Sequence, residues 1–275
     1  MKLKSKILLS LLATSSAAFA QTAPAPAAAP AAPETTIAYN VGVVSQYRYR
    51  GLAQTRGNPA VQGGIDYVNA NGFYLGAWAS GIRWIGDSSS TTQSVDGKTE
   101  IDLYGGYKFE AAGVAYDFGA LRYQYIGNNL SKITASNSAS GYALGNANTN
   151  ELYGSATIGA YTLKYSNSTS NLFGYLKSRH SYYLDLTANF DLGGGYSLSP
   201  HVGHQDVNGT SSSYYTGGLS YTDYSLTLSK DLGDGLSTTV AAVATNAKKN
   251  SNFLSNSSSY NVARDTIVVG VKYTF

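Results

Sequence analysis

The sequence predicts an all-β fold, a transmembrane up-and-down antiparallel β-barrel of about twelve strands. Three observations carry that expectation. From residue 37 onward, apolar and polar residues alternate with period two in segment after segment. The links between these segments are short and long in turn. The chain also closes on an alternating segment whose last residue is the aromatic Phe275.

The first twenty residues read as a secretory signal peptide. Lys2, Lys4 and Lys6 precede an apolar core from Ile7 to Ala13 and a small-residue site at Ala18-Phe19-Ala20, so cleavage is expected after Ala20. The apolar core is far shorter than the roughly 20 residues of a spanning helix. Residues 21–34 follow as an Ala/Pro-rich spacer, with seven Ala and four of the chain's six Pro between 21 and 33. Such a segment cannot pack a core and is expected as an extended periplasmic linker. The barrel is then expected over 35–275. The formal charge of +3 comes entirely from the three leader lysines, so the remaining chain is neutral and its basic pI is no argument for nucleic acid. Zero Cys excludes disulfides and thiolate metal or redox sites.

Twelve strands are expected, at 37–50, 59–68, 72–84, 99–109, 114–126, 150–158, 161–166, 180–190, 197–206, 214–230, 236–245 and 265–275. Most match the ~9–11 residues with which a tilted strand crosses a bilayer. In the first, Ile37, Tyr39, Val41 and Val43 alternate with Asn40 and Gly42; in the last, Ile267, Val269, Val271, Tyr273 and Phe275 alternate with Gly270, Lys272 and Thr274. Short links are expected at 69–71, 110–113, 159–160, 191–195 and 231–235. Long ones, rich in Ser, Asn, Thr and Gly, are expected at 51–58, 85–98, 127–149, 167–179, 207–213 and 246–264. A soluble sandwich has no reason to segregate its loops in this way. An outer-membrane barrel does, with short periplasmic turns and long external loops, and an even strand count puts both termini in the periplasm.

One face of the segments is aliphatic and aromatic; the other holds Gly, Ser, Thr, Asn and charge, as a closed barrel in lipid requires. Tyr47, Tyr49, Tyr67, Tyr116, Tyr125, Tyr182 and Tyr273 lie near segment ends and are expected in interfacial girdles. Pro200 cannot donate to a ladder and is expected at the periplasmic start of its strand or at a bulge. The closing strand resembles the terminal strand that the barrel-assembly machinery reads through a final aromatic residue, here Phe275.

The segment Val44-Ser45-Gln46-Tyr47-Arg48-Tyr49-Arg50-Gly51 resembles the opening motif of the TorF-family porins. The likeness continues through Pro59 to Tyr67, Gly72 to Gly76, Glu100 to Tyr107 and Tyr116-Asp117-Phe118-Gly119, covering residues 44 to 119. That resemblance implies an outer-membrane protein of a Gram-negative bacterium with a porin role, and carries over no catalytic residue.

With the apolar parity toward lipid, the lumen is expected to collect Arg48, Arg50, Lys108, Arg122, Lys164 and Lys272 with Asp66, Glu100, Asp102, Glu151 and Asp185. As a pore lining, this mixed set would pass small polar solutes with weak ion selectivity. As a structural set, its ion pairs and hydrogen bonds would fill a narrow barrel, leaving the loops to act in adhesion. Arg48 and Arg50 share a parity just before a loop and are expected to pair with Glu100 and Asp102. A third reading, a lipid-active enzyme, has only His204 on the lipid parity and no nucleophile motif to accompany it. His201 and His204 fall on opposite faces, so no metal site is expected, nor any cofactor. Oligomeric state is open, since monomeric and trimeric barrels share these features.

Overall fold

A strand in an apolar medium must pair along both edges, and a sheet achieves this throughout only by closing on itself. The computed structural model, which describes residues 35–90, 92–137, 143–209, 218–249 and 260–275, shows that closure. Twelve antiparallel strands make one ring: β1 Thr36–Val44, β2 Ala60–Val68, β3 Phe73–Gly81, β4 Thr99–Ala111, β5 Val114–Ile126, β6 Thr149–Ile158, β7 Tyr161–Ser168, β8 Tyr182–Ala188, β9 Tyr196–Asp206, β10 Tyr221–Gly233, β11 Leu236–Thr245 and β12 Thr266–Thr274. After a break at Asn189, β8 resumes as Phe190–Gly193. Each strand pairs with its chain neighbours, and β1 closes on β12 from Asn40 opposite Thr274 to Val44 opposite Gly270. Reciprocal backbone bonds between Tyr39 and Phe275, 2.8 and 2.9 Å long, extend the seam. The expected leader and spacer, 1–34, lie outside the described residues.

The turns at one rim are tight because their residues accept φ > 0. Ala112-Gly113, Gly194-Gly195 and Asp234-Gly235 each carry two positive φ values, the backbone of a two-residue hairpin that follows the strand twist. Two of these turns share a device. Asp191 and Asp231 accept the backbone N–H of Gly193 and Gly233 at 2.8 and 2.9 Å, and the ladder shifts register there. These Asp-Leu-Gly runs, expected as turns, continue the strands as bulges instead, so the links at 191–195 and 231–235 shrink to two residues.

Two strand expectations are corrected. The first strand ends at Val44, not at 50, because the chain bends inward at Ser45 and Gln46. Pro200 is neither at the strand start nor at a bulge. It lies mid-strand opposite Leu226 of β10, and on its other side the ladder to β8 lapses between Thr187 and Phe190, where a backbone donor is missing.

The outer face is a belt of exposed apolar side chains, among them Val41, Val61, Leu75, Leu103, Leu163, Leu186, Leu226, Val240 and Val269. Phe73, Tyr107, Phe109, Tyr116 and Phe118 stack into a continuous aromatic patch at the short-turn rim. Tyr67, Tyr116, Tyr182 and Tyr273 follow the outward parity. Tyr47, Tyr49 and Tyr125 do not: each is buried inside the barrel. A tyrosine suits a girdle or a polar interior equally well, so position near a strand end does not separate the two.

Candidate functional site

The interior is organised around the loop between β1 and β2. Arg48 pairs with Ala53 and Tyr49 with Leu52, so residues 46–55 form a small hairpin folded into the bore. Its tip, Arg50-Gly51, has φ of 44° and 78°. Gly51 is required there: a side chain would strain the backbone and strike Asp223 of β10.

The hairpin starts on the β1–β2 wall and ends on the far one. The Arg50 guanidinium donates to Gln205 Oε1 on β9 at 2.6 Å and to Glu151 Oε2 on β6 at 2.8 Å. It also lies 4.3 Å from the centroid of the Tyr183 ring on β8. On the near side, Tyr47 donates to Glu100 Oε1 at 2.8 Å and packs edge-on against Trp78, while the Tyr49 hydroxyl donates to that of Tyr123 at 2.9 Å. Arg48, only 1% exposed, donates to Gln46 and to the carbonyls of Gly51 and Val262. Burial lowers the pKa of Arg48 to about 10, which still leaves it charged at neutral pH. Burial also disfavours the Arg50 charge, but the Glu151 carboxylate more than offsets this and holds the group above its ordinary value.

Other long loops pack over the hairpin. Phe173, in the loop 169–181, meets the rings of Tyr49, Tyr123 and Tyr125. Arg56 forms an ion pair with Asp87, the last residue of a helical turn, Trp84–Asp87, that buries Ile85. The long-loop half of the bore is therefore a packed core. The short-turn half is more open: Asp66, Lys108, Asp117, Lys164, Asp185 and Lys272 face inward and are only partly buried. There the hydroxyl of Tyr104 donates to Asp66 and that of Tyr74 to Asp117, Tyr74 bonds Tyr153, and Lys108 and Lys164 lie over the rings of Tyr74 and Tyr153 at 4.8 and 4.2 Å.

Several of these tyrosines lie flat across a glycine of the neighbouring strand. Tyr104 covers Gly76, Tyr74 covers Gly106, Tyr153 covers Gly119 and Tyr183 covers Gly203. Gly203→Val is expected to cost about 1–3 kcal/mol, because the added atoms displace the buried Tyr183 ring and the hydroxyl that bonds Asp223. Guanidinium unfolding of the refolded barrel checks this, and an unchanged midpoint would contradict the packing.

The model of a family described as a bacterial protein of unknown function, Gcw_chp, matches residues 27–275. The chain belongs to the Gcw_chp family. The matching family bears that name, not the TorF name of the sequence resemblance. No curated protein sequence matches this Gcw_chp chain. Among solved structures it is similar to the NanC porin, with 6% identity, 87% of this chain and 99% of that chain covered, and a TM-score of 0.50. It is also similar to the KdgM porin (13% identity, 87% and 98% covered, TM-score 0.47) and to the COG4313 outer membrane channel from Pseudomonas putida F1 (12%, 90% and 96%, TM-score 0.43). At these identities the likeness concerns the fold.

The Gcw_chp barrel places most of the expected interior residues inside, with two corrections. Arg48 and Arg50 lie on the hairpin, not on a barrel strand, and pair with neither Glu100 nor Asp102: Arg50 holds Glu151, and Glu100 takes its hydrogen bond from Tyr47. Asp102 is 1% exposed, and its Oδ1 has no partner among the described residues. Arg122 faces outward, where it binds Gln124 and Asn150 close to the long-loop rim, while Leu121 and Tyr123 turn inward. An arginine near the edge of the apolar belt reaches the headgroup region, so the rule against charge on the lipid face lapses there.

The expected set also missed an inward cluster. His201 lies between Asp185 and Asp223, 3.2 and 3.1 Å from its two ring nitrogens, and Tyr183 donates to Asp223 at 3.0 Å. Strand parity alone puts Asp223 and His201 inward, opposite Leu226 and Val202. His204 faces outward and pairs with Thr222 Oγ1 at 2.9 Å.

Proposed function

We propose that this protein is an outer-membrane channel for passive diffusion of small polar solutes, its bore narrowed by the 46–55 hairpin. The observation that carries this reading is a closed barrel whose interior is lined with charge and whose mouth is crossed by a hydrogen-bonded loop. An apolar belt outside and a polar interior are the signature of a lipid-embedded conduit. In this reading the short turns and both termini face the periplasm, the long loops face outward, and Phe275 is read by the assembly machinery. The inward charges act in permeation, not catalysis.

Among the described residues the interior holds the carboxylates of Asp66, Glu100, Asp102, Asp117, Glu151, Asp185 and Asp223 against the cations Arg48, Arg50, Lys108, Lys164 and Lys272. His201 sits between Asp185 and Asp223, and Glu100 and Asp102 are fully buried, so the mixed lining is close to balance and weak ion selectivity follows. Planar-bilayer recording of refolded mature protein in a salt gradient tests the proposal. Stepwise openings of low conductance are expected, with a reversal potential near zero. A second reading, a filled barrel acting through its surface loops, draws on the burial of Tyr47 and Arg48, each 1% exposed. Silence from a correctly folded barrel would overturn the channel and select that reading.

A further inference from the structure

The seat of Arg50 has the composition of a binding site for an organic cation. A carboxylate oxygen and an amide oxygen take the two terminal nitrogens, Glu151 at 2.8 Å and Gln205 at 2.6 Å, while two aromatic faces, Tyr183 and Tyr49, lie 4.3 and 4.8 Å from the central carbon. Asp223, packed against Gly51 and held by Tyr183 and His201, adds a second carboxylate to the same wall. Carboxylate, carbonyl-type acceptor and ring faces together select a flat or compact cation over an inorganic one, because the ring attraction requires partial loss of the hydration shell.

The wall supplies nearly all of this seat. Glu151, Gln205, Tyr183 and Asp223 belong to β6, β9, β8 and β10, whose positions are set by the barrel ladder and not by the hairpin. The hairpin supplies the occupant, Arg50, and one of the two ring faces, Tyr49. The fit of Arg50 is also incomplete: the Nε atom is buried and has no partner among the described residues. An unmet buried donor costs about 1–3 kcal/mol, which weakens the hold on Arg50 specifically. A free ligand is not tethered to the hairpin backbone, so it can tilt in the seat to bring that N–H to an acceptor or to water.

We propose that the Arg50 seat is a recognition site for solutes bearing a guanidinium or primary ammonium group, which the hairpin occupies in cis. A permeating cation competes with Arg50 for Glu151, Gln205 and the Tyr183 ring, and its binding frees the hairpin tip from the far wall. This rests on the channel reading for its consequence but not for the binding itself, so two measurements separate them.

The first uses Arg50→Ala, refolded in detergent, with methylguanidinium or agmatine at millimolar concentration against sodium chloride of equal ionic strength. Agmatine is expected to raise the melting temperature of Arg50→Ala by several degrees more than that of wild type, and Glu151→Gln in the same background is expected to remove the difference. Equal shifts in all three proteins would overturn the site. The second is bilayer recording. Arg50→Ala is expected to conduct more than wild type and to be blocked by methylguanidinium, with tetramethylammonium about tenfold weaker because it offers no N–H to Glu151 and Gln205. Equal block by both ions would overturn the recognition chemistry. If no variant conducts but the thermal shift appears, the channel reading fails and the binding site stands.

Discussion

Excising residues 46–57 and joining Ser45 to Asn58 through a short Gly/Ser segment is expected to raise single-channel conductance about fivefold or more, since twelve strands enclose a wider bore than the roughly eight whose side chains just fill the interior. The hairpin starts on β1 and ends on β6, β8, β9 and β10, so it crosses the bore instead of lining it. Removing it deletes Tyr47, Arg48, Tyr49 and Arg50, four large side chains that are nearly fully buried. It also removes Arg48 and Arg50 and exposes Glu100 and Glu151, whose hairpin partners are replaced by water, so a cation preference should appear at the same time. The barrel ladder contains none of the excised residues, and the variant should still migrate as a heat-modifiable barrel. A folded variant with wild-type conductance would show that the restriction lies elsewhere in the loop core.

Leu226→Arg is expected to destabilise the barrel by about 2–4 kcal/mol, the cost of a cation on the lipid face near mid-depth. Leu226 lies mid-strand in β10 between Pro200 and Ala242, is 48% exposed, and points out of the ring. Thr239→Arg, on the inward parity of β11, should cost markedly less, because the lumen supplies water and carboxylates. Reversible unfolding in a defined lipid or detergent measures both. Equal costs would mean that the assignment of faces in this part of the barrel is wrong. The contrast with Arg122 makes the depth dependence concrete. That residue already sits on the outer face, but near the rim and with Gln124 and Asn150 as partners.

How much of the site was legible before the fold is clearest at Arg48 and Arg50. Their alternation with Tyr47 and Tyr49 is a faultless strand pattern, and the residues were expected inside the barrel, where they are. What alternation could not convey is the bend at Ser45 and Gln46, which turns an expected fourteen-residue strand, longer than the ~9–11 residues a crossing needs, into a nine-residue strand and an inward hairpin. The available hint was length, together with Gly51 placed where a turn would need φ > 0. Arg122 failed for a different reason. The strand Val114–Ile126 carries charge on both parities, Asp117 inward and Arg122 outward, and a rule that forbids lipid-facing charge at mid-depth has no force at the rim.

Sequence by itself determined the closed antiparallel barrel, its strand number, the segregation of long loops to one rim and the lipid-facing parity of most strands. These follow from period-two patterning and turn chemistry, which act over a few residues and are written locally. Only the tertiary structure decided that the first loop folds inward, that Arg50 meets Glu151 across the bore, and that His201 joins Asp185 and Asp223. Those contacts link residues far apart in the chain, 155 positions for Arg50 with Gln205 and 214 for Arg48 with Val262. They depend on ring closure and stagger, which bring distant strands face to face at a common depth, and no local pattern encodes which residues share that depth.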